Sequence, residues 1–276
     1  MIRSLLYVPA SSEKFLGRAH ERGADALILD LEDAVAPQEK LAARARLEQA
    51  VPSAGRNGAK IFVRINTGAL SLDDAEAACR AGAFGLFVPK VHAPADLGRI
   101  DAHLGRVERA GQRVVLVPML EDPGAVFDAR TIAAASARNF ALVAGSEDMA
   151  TAMDAEPTPE VLRLPKLLVH LAAKAAGLFS FGMLRSVADF RDTAGVERAA
   201  REARAFGFDG ATCVHPALVP ILNSAFSPTP EEIERARKLV AAFDAAEAAG
   251  QGAFVFDGKM VDEPVVARAR ALLARA

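Results

Sequence analysis

The sequence predicts an α/β fold: a (β/α)8 TIM barrel with a C-terminal helical extension. Three observations predict it. Short apolar runs recur about eight times along the 276 residues. Most are followed by a longer stretch with helical period, and several stretches end in a glycine just before the next run. Gly23, Gly177 and Gly207 are such glycines, at the position of a helix C-cap. Continuous apolar strands joined by helices specify a parallel sheet covered on both faces. About eight such units in a chain of this length specify a closed barrel. The runner-up is an open doubly wound sheet. It usually carries a glycine-rich phosphate turn after its first strand, and "VPASSEKF" has none.

The elements follow in order. The expected strands are "RSLLYVP" (3–9), "ALILDL" (26–31), "KIFVRI" (60–65), "GLFVPK" (85–90), "RVVLVPML" (113–120), "FALVAG" (140–145), "LFSFGM" (178–183) and "GATCVH" (210–215). Between them, "PQEKLAARARLEQAV" and "GVERAAREARAFG" carry the helical repeat. The barrel domain is expected to span 1–226. The pattern then changes: "SPTPEEIERARKLV" offers Ser227 or Thr229 as the cap of a charged helix. "AFVFDGKMVDEP" leads into a last helix, so 227–276 form an extension expected to pack on a neighbouring subunit.

Composition narrows the function classes. Hydrophobic residues make up 51% of the chain, which argues against disorder. The net charge is -2 and the pI about 6.2, with Lys and Arg scattered among acids, so no nucleic-acid partner is expected. Two cysteines, Cys79 and Cys213, without metal-type spacing favour a reducing compartment. The first apolar run is too short for a signal peptide, and nothing approaches the ~20 apolar residues of a membrane span. The expectation is a cytoplasmic protein with no membrane partner.

The polar residues fall at strand ends. Asp30, Glu32 and Asp33 close the second strand, Arg64 the third and Lys90 the fourth. Glu121 follows the fifth, Asp148 the sixth and His215 the eighth. In a barrel these ends share one face, where the loops build active sites. Buried carboxylates need a partner or a cation. Arg64 is a natural partner for Asp30 or Glu32; the alternative is an ion-pair network that only closes the barrel top. Glu121 and Asp148 fit a minimal Mg2+ site, because that ion needs only one or two protein carboxylates and keeps waters. They would equally suit helix first turns, where acids favour the macrodipole. Lys90 either holds a substrate oxygen or balances charge. Lys14 and Arg18 share a helical face after the first strand, where they either meet phosphates or face solvent. His215 reads as a helix-start residue before a proline, and His20 and His170 as surface or packing residues.

The stretch "RSLLYVPASSEKFLGRAHERGADALILDLEDAVAPQEKLAAR" resembles the start of the HpcH/HpaI aldolase/citrate lyase beta-subunit-like family. "FVRIN", "GLFVPKV", "GSEDMA", "GFDGATCVHPALVPILNSAFSPTPEEIERA" and "GAFVFDGKMVDEPVV" continue the resemblance over nearly the whole chain. It implies a metal-dependent barrel, oligomeric as a trimer or hexamer, that makes or breaks a carbon–carbon bond in a CoA or acyl-carrier thioester. It implies Mg2+, with Mn2+ as an alternative, on Glu121 and Asp148. Arg64 becomes the carboxylate- and enolate-binding arginine. Asp262 becomes an acid/base supplied by a neighbouring subunit, and Asp33 a second catalytic candidate where related aldolases have histidine. Asp30, Glu32 and Lys90 are expected to contact substrate, and Lys14 and Arg18 the CoA portion. The expected partners are a CoA thioester and a keto acid. The expected reaction is reversible cleavage of a malyl-, methylmalyl- or citramalyl-CoA type of thioester. A malyl-CoA-type thioesterase and a citrate-lyase-like subunit using an acyl-carrier thioester are the alternatives. The chain departs from the family at "LEDP", which adds Asp122 where "IET" is common. It departs again at "TAMDAEPTPEVLRLPK" and "FGMLRSVADFRD", which bears on the acyl group more than on the reaction class.

Overall fold

Each apolar run becomes a strand because its side chains can be buried on both faces of a parallel sheet. The computed structural model describes residues 1–250 and 252–276. Its strands are β1 (Ser4–Pro9), β2 (Ala26–Asp30), β3 (Lys60–Arg64), β4 (Gly85–Val88), β5 (Val115–Leu120), β6 (Ala141–Ala144), β7 (Phe179–Phe181) and β8 (Ala211–Cys213). They pair in the order β7-β6-β5-β4-β3-β2-β1-β8, each with its neighbour in parallel. The two ends of that order meet through a parallel bridge between Phe181 and Gly210, so the sheet nearly closes into a barrel. Gly210 also lets the chain before β8 lie close against the start of β1: a Cβ there would lie 2.1 Å from the Ile2 carbonyl oxygen.

Ten helices accompany the strands: α1 (Glu13–Leu16), α2 (Lys40–Gly55), α3 (Ser71–Arg80), α4 (Pro94–Val107), α5 (Pro123–Phe127), α6 (Ala129–Ala133), α7 (Glu147–Ala152), α8 (Pro159–Ala175), α9 (Thr193–Phe206) and α10 (Val219–Phe226). Their ends follow local chemistry. Asp192 accepts the Gly195 amide at 2.9 Å to start α9, and Gly207, at φ 97°, ends it in the left-handed region. Among the described residues, no helix is long and apolar enough to cross a membrane.

The barrel core takes side chains from β1 to β7: Leu5, Ile28, Phe62, Phe87, Val117, Val143 and Phe181 are all nearly or fully buried. Burying each such side chain is worth about 1.5–3 kcal/mol. Phe62 and Phe87 add an edge-to-face contact, with centroids 5.3 Å apart. This packing fixes the strand register, and the register sets Asp30 of β2 beside Arg64 of β3.

The chain divides into two units, Ile2–Ser224 and Met1 with Ala225–Ala276. In the second, α11 (Pro230–Ala248) starts at Thr229, whose hydroxyl accepts the Glu232 amide while the Glu232 carboxylate accepts the Thr229 amide. The sequence reading expected only helices here. The unit also holds an antiparallel hairpin of β9 (Phe254–Phe256) and β10 (Lys259–Val261). Asp257 and Gly258, with φ of 48° and 71°, make its two-residue turn. Val261 of the hairpin packs with Phe243 of α11 and Val266 of α12 (Glu263–Leu273).

Candidate active site

The C-terminal ends of the strands surround a cavity of about 430 Å³. Its lining includes Tyr7, Asp30, Asp33, Arg64, Glu121, Asp148 and Lys166. Residues as far apart in sequence as Tyr7 and Lys166 thus share one chamber.

Arg64 is held by a two-bond fork. Its Nε donates to Asp30 Oδ1 at 2.7 Å and its Nη2 to Oδ2 at 2.6 Å. Such bidentate geometry is the strong form of a charge-assisted hydrogen bond. The same carboxylate accepts the amides of Glu32 and Ala34, at 2.9 and 3.2 Å. Asp30 therefore fixes both the arginine and the loop that follows β2. Arg64 Nη1 also donates to Asp33 at 3.2 Å and lies 3.0 Å from Glu32 Oε2. That second contact falls outside hydrogen-bond geometry, and Glu32 Oε2 is buried without a hydrogen bond. The Tyr7 ring lies 5.1 Å from the guanidinium carbon. Burial works against the arginine's charge, but the Asp30 bonds outweigh it and raise its pKa.

Lys90 serves two carboxylates with different groups. Its ammonium donates to Glu32 Oε1 at 2.8 Å, which raises the lysine's pKa. Its backbone amide donates to Glu121 Oε2 at 2.7 Å. Lys90 adopts φ 52°, a left-handed conformation uncommon outside glycine. Such strain persists where surrounding contacts hold it, and here two carboxylates do so.

Glu121 is 5% exposed, and neither it nor Asp148 forms an ion pair among the described residues. Burial pushes the Glu121 carboxyl up to about 7, against the Lys90 amide bond, with Asp148 and Glu32 adding repulsion. Gly145 makes room for it: a Cβ there would meet Glu121 Cγ at 2.7 Å and Oε1 at 2.8 Å. Arg64 and Lys90 pair with Asp30, Glu32 and Asp33. Glu121 and Asp148 are thus the strand-end acids with no ion-pair partner among the described residues. Two oxygen donors left without a cationic side chain suit a hard divalent ion that keeps open positions.

Other residues anticipated from sequence lie elsewhere. Glu32 and Lys90 are not part of this lining, and Lys90 borders a second cavity with Asn66 and His92. Lys14 and Arg18 are exposed, Arg18 pairs with Glu21, and neither lines the chamber. His215 accepts the Ala217 amide at a helix start and stacks on Phe190. His20 and His170 are buried, and His170 stacks on Phe208. Asp262, in the second unit, caps α12 by accepting the Val265 amide at 3.4 Å.

Sequence reasoning missed Lys166. It lies on the buried stripe of α8 with Leu162, Val169, His170 and Ala173. It is 4% exposed, and its ammonium makes one long bond, 3.5 Å, to the Ala144 carbonyl at the end of β6. Burial lowers its pKa to about 8, with Glu147 opposing. A lysine in the register of Leu162 and Val169 was the available signal.

The chain is similar to known proteins over nearly its whole length. The model of the family HpcH/HpaI aldolase/citrate lyase matches residues 3–216. A (3S)-malyl-CoA thioesterase of Cereibacter sphaeroides is 37% identical over 99% of this chain and 94% of its own length. The citrate lyase subunit beta of Escherichia coli is 33% identical over 99% of this chain and 93% of its own. The structure of CitE from Mycobacterium tuberculosis in complex with magnesium, acetoacetate and coenzyme A aligns with TM-score 0.81 and 30% identity. It covers 99% of this chain and 97% of that one.

Proposed function

Because this chain belongs to the HpcH/HpaI aldolase/citrate lyase family, we propose that it is a magnesium-dependent lyase of 3-hydroxyacyl-CoA thioesters. The substrate is of the malyl-, methylmalyl- or citramalyl-CoA type. Reversible cleavage gives acetyl- or propionyl-CoA with glyoxylate or pyruvate. The observation that carries this reading is that Glu121 and Asp148, without an ion pair among the described residues, share one chamber with an Arg64 held on Asp30.

Glu121 and Asp148 would hold the cation. When bound, it supplies Lewis-acid polarisation of the substrate oxygens. The protein's own residues carry the rest. Cleavage breaks the bond between the carbinol carbon and the carbon next to the thioester. The hydroxyl loses its proton as it becomes a carbonyl, and the electron pair of the broken bond passes to the thioester enolate. Arg64, held on Asp30, sets fixed positive charge where that oxyanion develops. Its two bonds to Asp30 mean that little reorganisation accompanies the reaction. Asp33 lines the chamber beside Arg64 and is the group we assign to the hydroxyl proton. Asp262 of a neighbouring copy would protonate the enolate carbon, and in the reverse direction take a proton from the acetyl methyl. The CoA portion would extend toward the exposed Lys14 and Arg18.

Replacing both Glu121 and Asp148 by their amides tests the reading. Metal dependence and cleavage should vanish together; turnover indifferent to EDTA would contradict it. The similarity to a (3S)-malyl-CoA thioesterase favours a second reading, in which water attacks the thioester in the same chamber. Its products are free CoA and the hydroxy acid, without a keto acid.

A further inference from the structure

Lys166 has no role in the chemistry above, yet it lines the same chamber. Its position is costly. A buried ammonium needs a counter-charge or a full set of acceptors. Lys166 has three donors, one carbonyl contact at 3.5 Å and no ion pair among the described residues. Glu147, the acid that opposes the loss of its charge, is exposed and accepts the Ser186 hydroxyl. The other lysine and arginine at these strand ends are committed to Glu32 and Asp30. Lys166 is therefore the one cation of the chamber lining with no carboxylate partner among the described residues. The helix that carries it is anchored by Leu162, Val169 and Ala173. The ammonium accordingly stays near the end of β6, on the side of the chamber occupied by Gly145, Ser146 and Asp148.

We propose that Lys166 is a specificity-determining residue whose buried ammonium pairs with the free carboxylate of a short 3-hydroxyacyl thioester. This rests on the thioester reading above and names the feature of the acyl group that the chamber selects. The pairing supplies the missing counter-charge, and it directs the hydroxyl next to that carboxylate toward Glu121 and Asp148. An acyl group of equal length that ends in a methyl would leave the ammonium buried and unpaired, which disfavours binding. Selection thus works by penalty as well as by attraction.

Calorimetry in EDTA, where no turnover is expected, gives the test. Malyl-CoA and 3-hydroxybutyryl-CoA, which lacks the carboxylate, are titrated into the wild-type chain, Lys166→Met and Lys166→Arg. The wild type should prefer malyl-CoA. Lys166→Met should weaken malyl-CoA on the order of 10- to 100-fold, the loss expected for one charge-assisted bond. It should leave 3-hydroxybutyryl-CoA unchanged or tighter, and Lys166→Arg should restore the preference. The methionine variant should melt at or above the wild-type temperature, because a buried charge without a partner is gone. An undiminished preference in Lys166→Met would overturn the proposal. So would an equal loss of both esters with a lowered melting point, which would make Lys166 part of the frame. Malyl-CoA turnover in Mg2+ is scored separately: its absence removes the lyase reading and leaves the binding comparison standing.

Discussion

Glu121 is bound to Lys90 through the lysine's backbone amide, at 2.7 Å, while the Lys90 ammonium points to Glu32 at 2.8 Å. One residue thus positions the Glu121 carboxylate without neutralising it. The left-handed backbone of Lys90 carries this amide, and no cationic side chain pairs with Glu121 among the described residues. The strand-end acids therefore divide into Asp30, Glu32 and Asp33, which pair with Arg64 or Lys90, and Glu121 and Asp148, which form no ion pair among the described residues.

The first prediction concerns pH. Glu121 ionises near 7 in the fold, against an ordinary 4.5, because it is buried beside Asp148 and Glu32. Between those values the folded chain holds a proton that the unfolded chain has lost. Stability of the metal-free protein should therefore fall as pH rises from about 4.5 to about 7, by roughly 3 kcal/mol at most, and then level off. Mg2+ competes with that proton, so its affinity should rise with pH up to about 7. Thermal melts in EDTA and Mg2+ titrations across that range read both trends. A Glu121→Gln variant should flatten the melt profile.

The second concerns the fork. Asp30 is 1% exposed, so Arg64→Met leaves a buried carboxylate without its partner. The expected cost is about 3–5 kcal/mol. Asp30→Asn combined with Arg64→Met should recover part of it, since no charge then remains to strand. Denaturant melts of the two singles and the double form the cycle. Strict additivity would remove the pairing from the account.

Gly145 supplies a third. Its Cβ space is taken by the Glu121 side chain, so Gly145→Ala must move that carboxylate or the backbone. Overpacking of this kind costs about 1–3 kcal/mol. Mg2+ affinity should fall at least about tenfold, in line with losing the placement of a ligand's support. Unchanged Mg2+ affinity would mean that Glu121 need not lie against Gly145.

Asp262 gives a fourth, because its two roles separate. As the cap of α12 it accepts the Val265 amide, and asparagine caps about as well as aspartate. Asp262→Asn should keep the melting temperature and lose turnover by about 10²–10⁴-fold, the usual worth of a general acid/base. Asp262→Ala should lose turnover and also about 1 kcal/mol of stability. Near-normal turnover in Asp262→Asn would remove the residue from the chemistry.

Much of this was legible in the sequence for a physical reason. Parallel strands buried on both faces read as continuous apolar runs, and the barrel sends every strand end to one side. Arg64 and Asp30 could be paired from their places at adjacent strand ends. Lys166 could not: it reaches the chamber from a helix, and its neighbours in the chain are apolar and unremarkable. The conformation of Lys90 was hidden as well, because nothing local demands a positive φ there; Glu121 and Glu32, from other loops, hold it. The β9–β10 hairpin was a local signal passed over, since Asp257–Gly258 between short apolar runs favours a tight turn.

The most direct measurement incubates the purified chain with Mg2+ and malyl-, methylmalyl- or citramalyl-CoA, and quantifies keto acid and free CoA separately. At least one ester should yield glyoxylate or pyruvate in step with acetyl- or propionyl-CoA, with no free CoA. EDTA should stop the reaction and added Mg2+ restore it. Free CoA with the intact hydroxy acid, and no keto acid from any ester, would contradict the account.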